Sequence, residues 1–163
     1  MSGRGSKTSG GLSIRVELDE EDTPGQAGRI DRAAAAELAC HVFAAEGVRR
    51  AEVSLVFCGD ERITGLNREW LEHEGPTDVI AFGLSEEGED PEGEIYIDLE
   101  QAARQAPEFG VTLDEEVRRL VVHGLLHLLG HDDLQEDARR RMTARQEELV
   151  TGWSRPLLGV DQP

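Results

Sequence analysis

The eleven residues from His123 to Asp133 read HGLLHLLGHDD, placing three imidazoles and two carboxylates among leucines and glycines. Imidazole and carboxylate together form the donor set of zinc and related ions. His123 and His127 are four residues apart, so on a helix they lie about 40° apart around the axis and one turn apart along it. From there two ring nitrogens reach one ion. Leu120 to Leu129 is apolar nearly all round, which predicts a buried helix in which an unpartnered imidazole would cost about 1–3 kcal/mol. Gly130 stands where a left-handed residue ends such a helix, and a reversed chain can carry a residue just beyond it back toward the same ion.

A break at Gly130 is required whichever residue completes the set. In an uninterrupted helix His131 would lie ~12 Å along the axis from His123, too far for bonds of ~2 Å to one ion. His-x₃-His, a glycine and a ligand-capable residue at the tenth position after the first His is the zinc-binding spacing of the metzincin proteases. Those enzymes place a glutamate, their general base, directly after the first His. Gly124 occupies that position here, so the spacing implies a metal site without the peptidase base. His41, within an alanine-rich segment, and His73, in a charged turn, read as structural or solvated.

The elements that must hold this motif follow from periodicity. LSIRVEL (12–18) and AEVSLVFC (51–58) read as strands, as do PTDVIAF (76–82) and GEIYIDL (93–99). A helix capped by Asp31 runs to Gly47, and a shorter one opens at Asp60. The second half reads as helical near 99–109, from 113 to 129 behind a Thr112/Glu115 capping box, and from 135 to 151. The expected fold is α+β: a mixed sheet of about four strands with the long helix packed on it. Residues 1–11 read as a flexible N-terminal tail and 12–155 as a single domain, which suits 163 residues with 38% hydrophobic content.

Composition narrows the setting. Cys40 and Cys58 form no CxxC pair and are too few for a disulfide framework, so a reducing, cytoplasmic compartment is expected. No apolar run approaches the ~20 residues of a membrane span, and the N-terminus lacks the apolar region of a signal peptide. Lys+Arg 17 against Asp+Glu 34 gives a net charge of −17, which repels polyanions at long range. Local arginine clusters at Arg49-Arg50, Arg118-Arg119 and Arg139-Arg140-Arg141 read first as solvated faces paired with nearby glutamates.

HGLLHLLGHDD resembles the signature of the YbeY family, bacterial metal-dependent endoribonucleases of rRNA maturation, whose pattern runs H-G-x-L-H-L-x-G-x-D-H. Leu66-Asn67 with Trp70, then Pro76-Thr77-Asp78-Val79-Ile80-Ala81-Phe82, resemble the family's LN-x₂-Y and PTDVLSF elements. Gly93-Glu94-Ile95-Tyr96-Ile97 is similar to its GDIVI strand. The resemblance covers roughly residues 55 to 150. It departs at two places: Asp133 stands where the family has its third histidine, and Leu71 stands where the family has an arginine after the aromatic of LN-x₂-Y. An arginine fork is a natural phosphate clamp that leucine cannot replace.

The resemblance implies a zincin-like fold and one zinc ion per chain on the central helix, held by His123, His127 and Asp133, with His131 the alternative third ligand. These ligands would act through the bound water, because zinc with an open position brings water to a pKa of ~7. Arg68, one turn before Leu71, together with Thr77 and Asp78, are the expected substrate-binding residues. The implied activity is cleavage of single-stranded RNA in rRNA processing, at the 3′ end of 16S rRNA, and in ribosome quality control. The small ribosomal subunit or its associated proteins are the expected partners, with no membrane. Aromatic content of 4% argues against a broad base-stacking platform. Two competing readings are a ribosome-associated maturation factor with a structural metal and weak or no catalysis, and a zinc hydrolase of a small molecule or peptide.

Overall fold

The computed structural model describes residues 4–9, 11–23, 25, 29–71, 75, 77–131 and 133–159, with the backbone alone for 4–9. His73 and Asp132 lie outside the described residues. The elements run β1 (Arg4–Ser9), β2 (Leu12–Leu18), α1 (Arg32–Ala45), β3 (Ala51–Cys58), α2 (Asp60–Trp70), β4 (Val79–Gly83), β5 (Glu92–Asp98), α3 (Leu99–Phe109), α4 (Leu113–Leu128) and α5 (Glu136–Thr151). The sheet has the order β1-β2-β3-β5-β4. Its three central strands are parallel, and β1 and β4 close the two edges antiparallel.

Among the described residues the sheet therefore has five strands where about four were expected, and the additional one lies in the segment read as a flexible tail. Arg4–Ser9 pair with β2 from Arg4↔Glu17 to Ser9↔Leu12. Gly11, at φ 102°, makes the reversal between them. RGSKTS has no apolar alternation to announce a strand; the open backbone edge of β2 supplies the partner instead. The strand expected over 76–82 also begins later, at Val79. Asp78 disfavours a strand, and its carboxylate is engaged by Gln105.

Alternation along the strands divides the apolar side chains between two faces. Ile14 and Val16 of β2, Val53, Leu55 and Phe57 of β3, and Ile95 and Ile97 of β5 form one core with α1, α4 and α5. On the other face Val56, Cys58, Ile80 and Tyr96 pack with Ile63 and Leu66 of α2. Neither Cys40 nor Cys58 is in a disulfide. Among the described residues no helix is long and apolar enough to cross a membrane. His41 is half-buried, its ring 5.3 Å from that of Trp153.

The helix α4 starts where the capping box predicts: Thr112 Oγ1 accepts the Glu115 N–H at 3.1 Å. Its side chain at Glu115 pairs with Arg119 rather than reaching back. The helix sits unusually close to the sheet. A Cβ at Gly124 would stand 2.6 Å from Ile95 Cγ2 and 3.1 Å from Val79 Cγ2, and one at Gly93 would stand 2.5 Å from Leu128 Cδ1. Gly124→Ala is expected to lower unfolding free energy by about 1–2 kcal/mol, because overpacking (~1–3 kcal/mol) outweighs the helix-propensity gain of at most ~1 kcal/mol. Chemical denaturation checks this; an unchanged midpoint would show that the sheet yields to the methyl group.

At the other end of β5, Asp98 is fully buried and caps α3, its Oδ1 accepting from the N–H groups of Glu100 (2.9 Å) and Gln101 (3.1 Å). Burial, with Asp60 beside it, raises the Asp98 carboxyl from 3.8 to about 8, against the pull of the two capping N–H groups. The folded value lies above the unfolded one, so its contribution is complete at low pH and is lost as pH rises through about 8. Asn caps as well as Asp. Asp98→Asn should therefore flatten the decline in stability between about pH 4 and 8, measured as denaturation midpoints across that range.

Candidate metal centre

The end of α4 explains how the motif closes on itself. Gly130 has φ 94°, its N–H bonds the His127 carbonyl at 3.0 Å, and the His131 N–H bonds the Leu126 carbonyl at 3.0 Å. This paired arrangement is a Schellman stop, which reverses the chain immediately after the helix. Asp133 returns beside His127, with Oδ2 3.3 Å from Nε2. The His123 and His127 rings are 5.0 Å apart by centroid. One ligand atom from each of His123, His127 and Asp133 lies within 4.8 Å of the others. Ligands at ~2.0–2.2 Å from one tetrahedral ion stand roughly 3.3–3.6 Å apart, so the three need only a small closing movement to share one.

His131 is directed elsewhere. Its Nε2 lies 2.7 Å from Glu46 Oε1, and Arg145 Nε binds the other oxygen of Glu46 at 2.9 Å. The residue thus ties the end of α4 to the C-cap of α1 and to α5. The imidazoles of the motif are also less enclosed than the apolar sequence suggested: His123 is half-buried and His127 exposed. The helix buries Val117, Val121, Leu125 and Leu126 instead, so its polar stripe looks into a groove.

That groove, about 430 Å³, is walled by Asn67 and Leu71 of α2, by Thr77, Asp78 and the start of β4, and by His123, Gly124, His127 and Asp133. Asn67 holds the wall in place: it is buried, and its Nδ2 donates to the Gly75 carbonyl at 2.9 Å. The structure thus brings Thr77 and Asp78 to the same groove as the three ligand-type residues. Arg68 is exposed on α2, and Leu71 forms the wall at this point. Gly124 faces Ile95 and Val79, which leaves no room for a glutamate after the first histidine.

Spacing in the sequence did not reveal two supporting groups. Gln146 of α5 brings Oε1 to 2.8 Å from His123 Nδ1. An amide oxygen accepts, so Nδ1 carries the proton and Nε2 keeps its lone pair for an ion. No local pattern links Gln146 to a histidine 23 residues earlier. The second group is Glu116, whose buried Oε2 accepts from Gln105 Nε2 at 2.5 Å; the same nitrogen donates to Asp78 Oδ2 at 3.1 Å. Burial raises the Glu116 carboxyl, the Gln105 hydrogen bond opposes this, and the charge of Asp78 adds to it. Glu116, Leu120, His123 and His127 follow the i, i+4, i+7, i+11 stripe of one helix face, a signal the sequence did contain.

Comparison with known proteins gives the chain its relatives. Residues 19–154 match the family model described as endoribonuclease YbeY. An endoribonuclease YbeY from Pelotomaculum thermopropionicum is 41% identical over 147 residues, covering 85% of this chain and 91% of that protein. One from Salinibacter ruber is 38% identical over 118 residues, covering 68% and 75%. The solution structure of TM1509 from Thermotoga maritima is similar with a TM-score of 0.58 at 27% identity, over 84% of this chain and 86% of that one.

The Gln146 bond gives a measurable expectation. Gln146→Leu should weaken metal binding about 10- to 100-fold, the usual cost of losing a group that orients a ligand, while Gln146→Glu, which still accepts the Nδ1 proton, should not. Competition with a chromogenic chelator reads this directly; equal affinity in the native and Gln146→Leu proteins would remove Gln146 from the site.

Proposed function

The chain belongs to the endoribonuclease YbeY family, and from that premise we propose that it cleaves single-stranded RNA in the groove beside His123, using zinc held by His123, His127 and Asp133. The observation that carries this reading is the convergence of those three ligand atoms within 4.8 Å at the wall of an open groove. Two imidazoles and a carboxylate suit zinc, and three protein ligands would leave one position of a four-coordinate ion open to water or substrate. A bound zinc supplies a Lewis acid for phosphoryl oxygens and acidifies water.

The chain's own residues supply position. Gln146 holds the His123 proton on Nδ1, so the ring presents Nε2. Asp133, being negative, leaves the site less electrophilic than three imidazoles would. Thr77 and Asp78 border the same groove, which supports a role for them in meeting the RNA strand. We assign the substrate to ribosomal RNA near the 3′ end of the 16S molecule, with the small ribosomal subunit or its associated proteins as partner, in the cytoplasm. A partner that delivers the RNA reconciles this assignment with a net charge of −17.

Leu71 favours a second reading, a ribosome-associated factor with weak catalysis, because it occupies the groove wall where the family pattern has an arginine. One set of measurements separates the two. Elemental analysis of untagged protein should find about one zinc per chain, and chelator or His123→Ala should abolish cleavage of a single-stranded RNA. Leu71→Arg should raise cleavage about tenfold or more, the worth of a charge-assisted hydrogen bond to phosphate, and Arg68→Ala should lower it if Arg68 already serves that role. Full metal content with no cleavage in either the native or the Leu71→Arg protein would favour the second reading.

A further inference from the structure

A second cavity of about 290 Å³ opens on the far side of His123 and shares His123 and Asp78 with the metal groove. Its lining is unlike that of a phosphate site. Asp78 and Glu116 contribute carboxyls, and Gln105 spends its Nε2 hydrogens on both of them. Gln105 Oε1 is itself taken, accepting from Gln101 Nε2 at 3.3 Å. Arg119 also borders the cavity, but its guanidinium is gripped by Glu147 at 2.8 and 3.0 Å and by Glu115 at 3.2 Å. Gln146 also lines the cavity, its Oε1 turned to His123 Nδ1, so the charged groups that remain open in the wall are the carboxyl acceptors of Asp78 and Glu116, while its cation is already neutralised. At the rim stands Phe109, a large aromatic side chain 63% exposed to solvent.

An acceptor wall beneath an exposed aromatic ring, next to the groove of an RNA-cleaving enzyme, has the chemistry of a nucleobase subsite. We propose that this cavity binds the base of the nucleotide adjoining the metal groove and selects one with an exocyclic amino group, through Asp78, over uracil. The inference rests on the endoribonuclease reading above. Phe109 covers the face of the base, which every base possesses, and contributes affinity without selection. Asp78 reads the edge. One of its oxygens accepts from Gln105, and among the described residues no donor reaches the other. An amino group such as cytosine N4 donates there, as it does to carboxylates in groove recognition. Uracil presents a carbonyl oxygen at the same place, an acceptor facing the carboxylate acceptor, so no hydrogen bond forms there. Phosphate is repelled by the carboxyls, which keeps the backbone outside and turns the base inward.

The test uses zinc-loaded full-length protein, a uridine decamer, and decamers in which one cytidine replaces each uridine in turn. Binding is read by fluorescence anisotropy and cleavage by product length. The best-placed cytidine should tighten binding about 5- to 100-fold, the range for one base-edge pairing, and cleavage should fall at a fixed distance from it. Asp78→Asn keeps an oxygen for Gln105 but offers both donor and acceptor, so the preference for cytidine should collapse. Phe109→Ala should weaken both oligomers about fivefold or more and leave their ratio unchanged. Equal binding of the uridine decamer and every cytidine decamer by native protein overturns the proposal, even where cleavage proceeds and the endoribonuclease reading stands. A cytidine preference that Asp78→Asn abolishes supports it even where no cleavage occurs and the catalytic reading fails.

Discussion

The close seating of α4 on β4 and β5 is the contact on which the site depends. Gly124 and Gly93 remove the Cβ atoms that would hold helix and sheet apart. Once the helix is pressed down, its rotation is set by Val117, Val121, Leu125 and Leu126, all fully buried. The stripe carrying Glu116, His123 and His127 is then forced to the side, where the sheet ends and a groove begins. The same contact disposes of the position after the first histidine. A side chain at Gly124 would run into Ile95 and Val79 at its first carbon, so the local geometry leaves no place for a peptidase-type base there.

The second constraint is the stop at Gly130. Its left-handed backbone satisfies the last carbonyls of α4 and turns the chain within two residues. Beyond that turn His131 meets Glu46 and Asp133 meets His127. One short segment therefore serves two purposes. His131 fastens the helix end to α1 and α5 through Glu46 and Arg145, and this anchoring steadies the arm from which Asp133 returns.

Charge is arranged around the site in a way the bulk figure of −17 conceals. Several arginines are committed to carboxylates: Arg119, which borders the second cavity, to Glu147 and Glu115, Arg118 to Asp114, and Arg104 to Asp60. Arg119–Glu147 and Arg104–Asp60 join neighbouring helices and the other two lie within α4, but all are partly exposed, so each contributes little stability on its own. With Leu71 in the groove wall, carboxyl groups outnumber cations in the linings of the two cavities.

By itself the sequence determined the local chemistry and most of the elements. His-x₃-His on a helix, the capping box at Thr112, the stop at Gly130 and the β-type alternation of residues 12–18, 51–58 and 93–99 depend on short-range backbone geometry, which spacing encodes. The break at Gly130 and the resemblance to YbeY point to Asp133 as a ligand candidate from the sequence alone. What only the tertiary structure decided lies between segments distant in the chain. Pairing of Arg4–Ser9 depends on an open edge of β2, because those residues carry no apolar pattern of their own. Gln146 on His123, Glu46 on His131 and Gln105 between Asp78 and Glu116 depend on how helices dock, a matter of packed volume rather than periodicity. The exposure of His127 came from the same source: an apolar stretch announces burial, but which side of the helix meets water is set by the sheet beneath it.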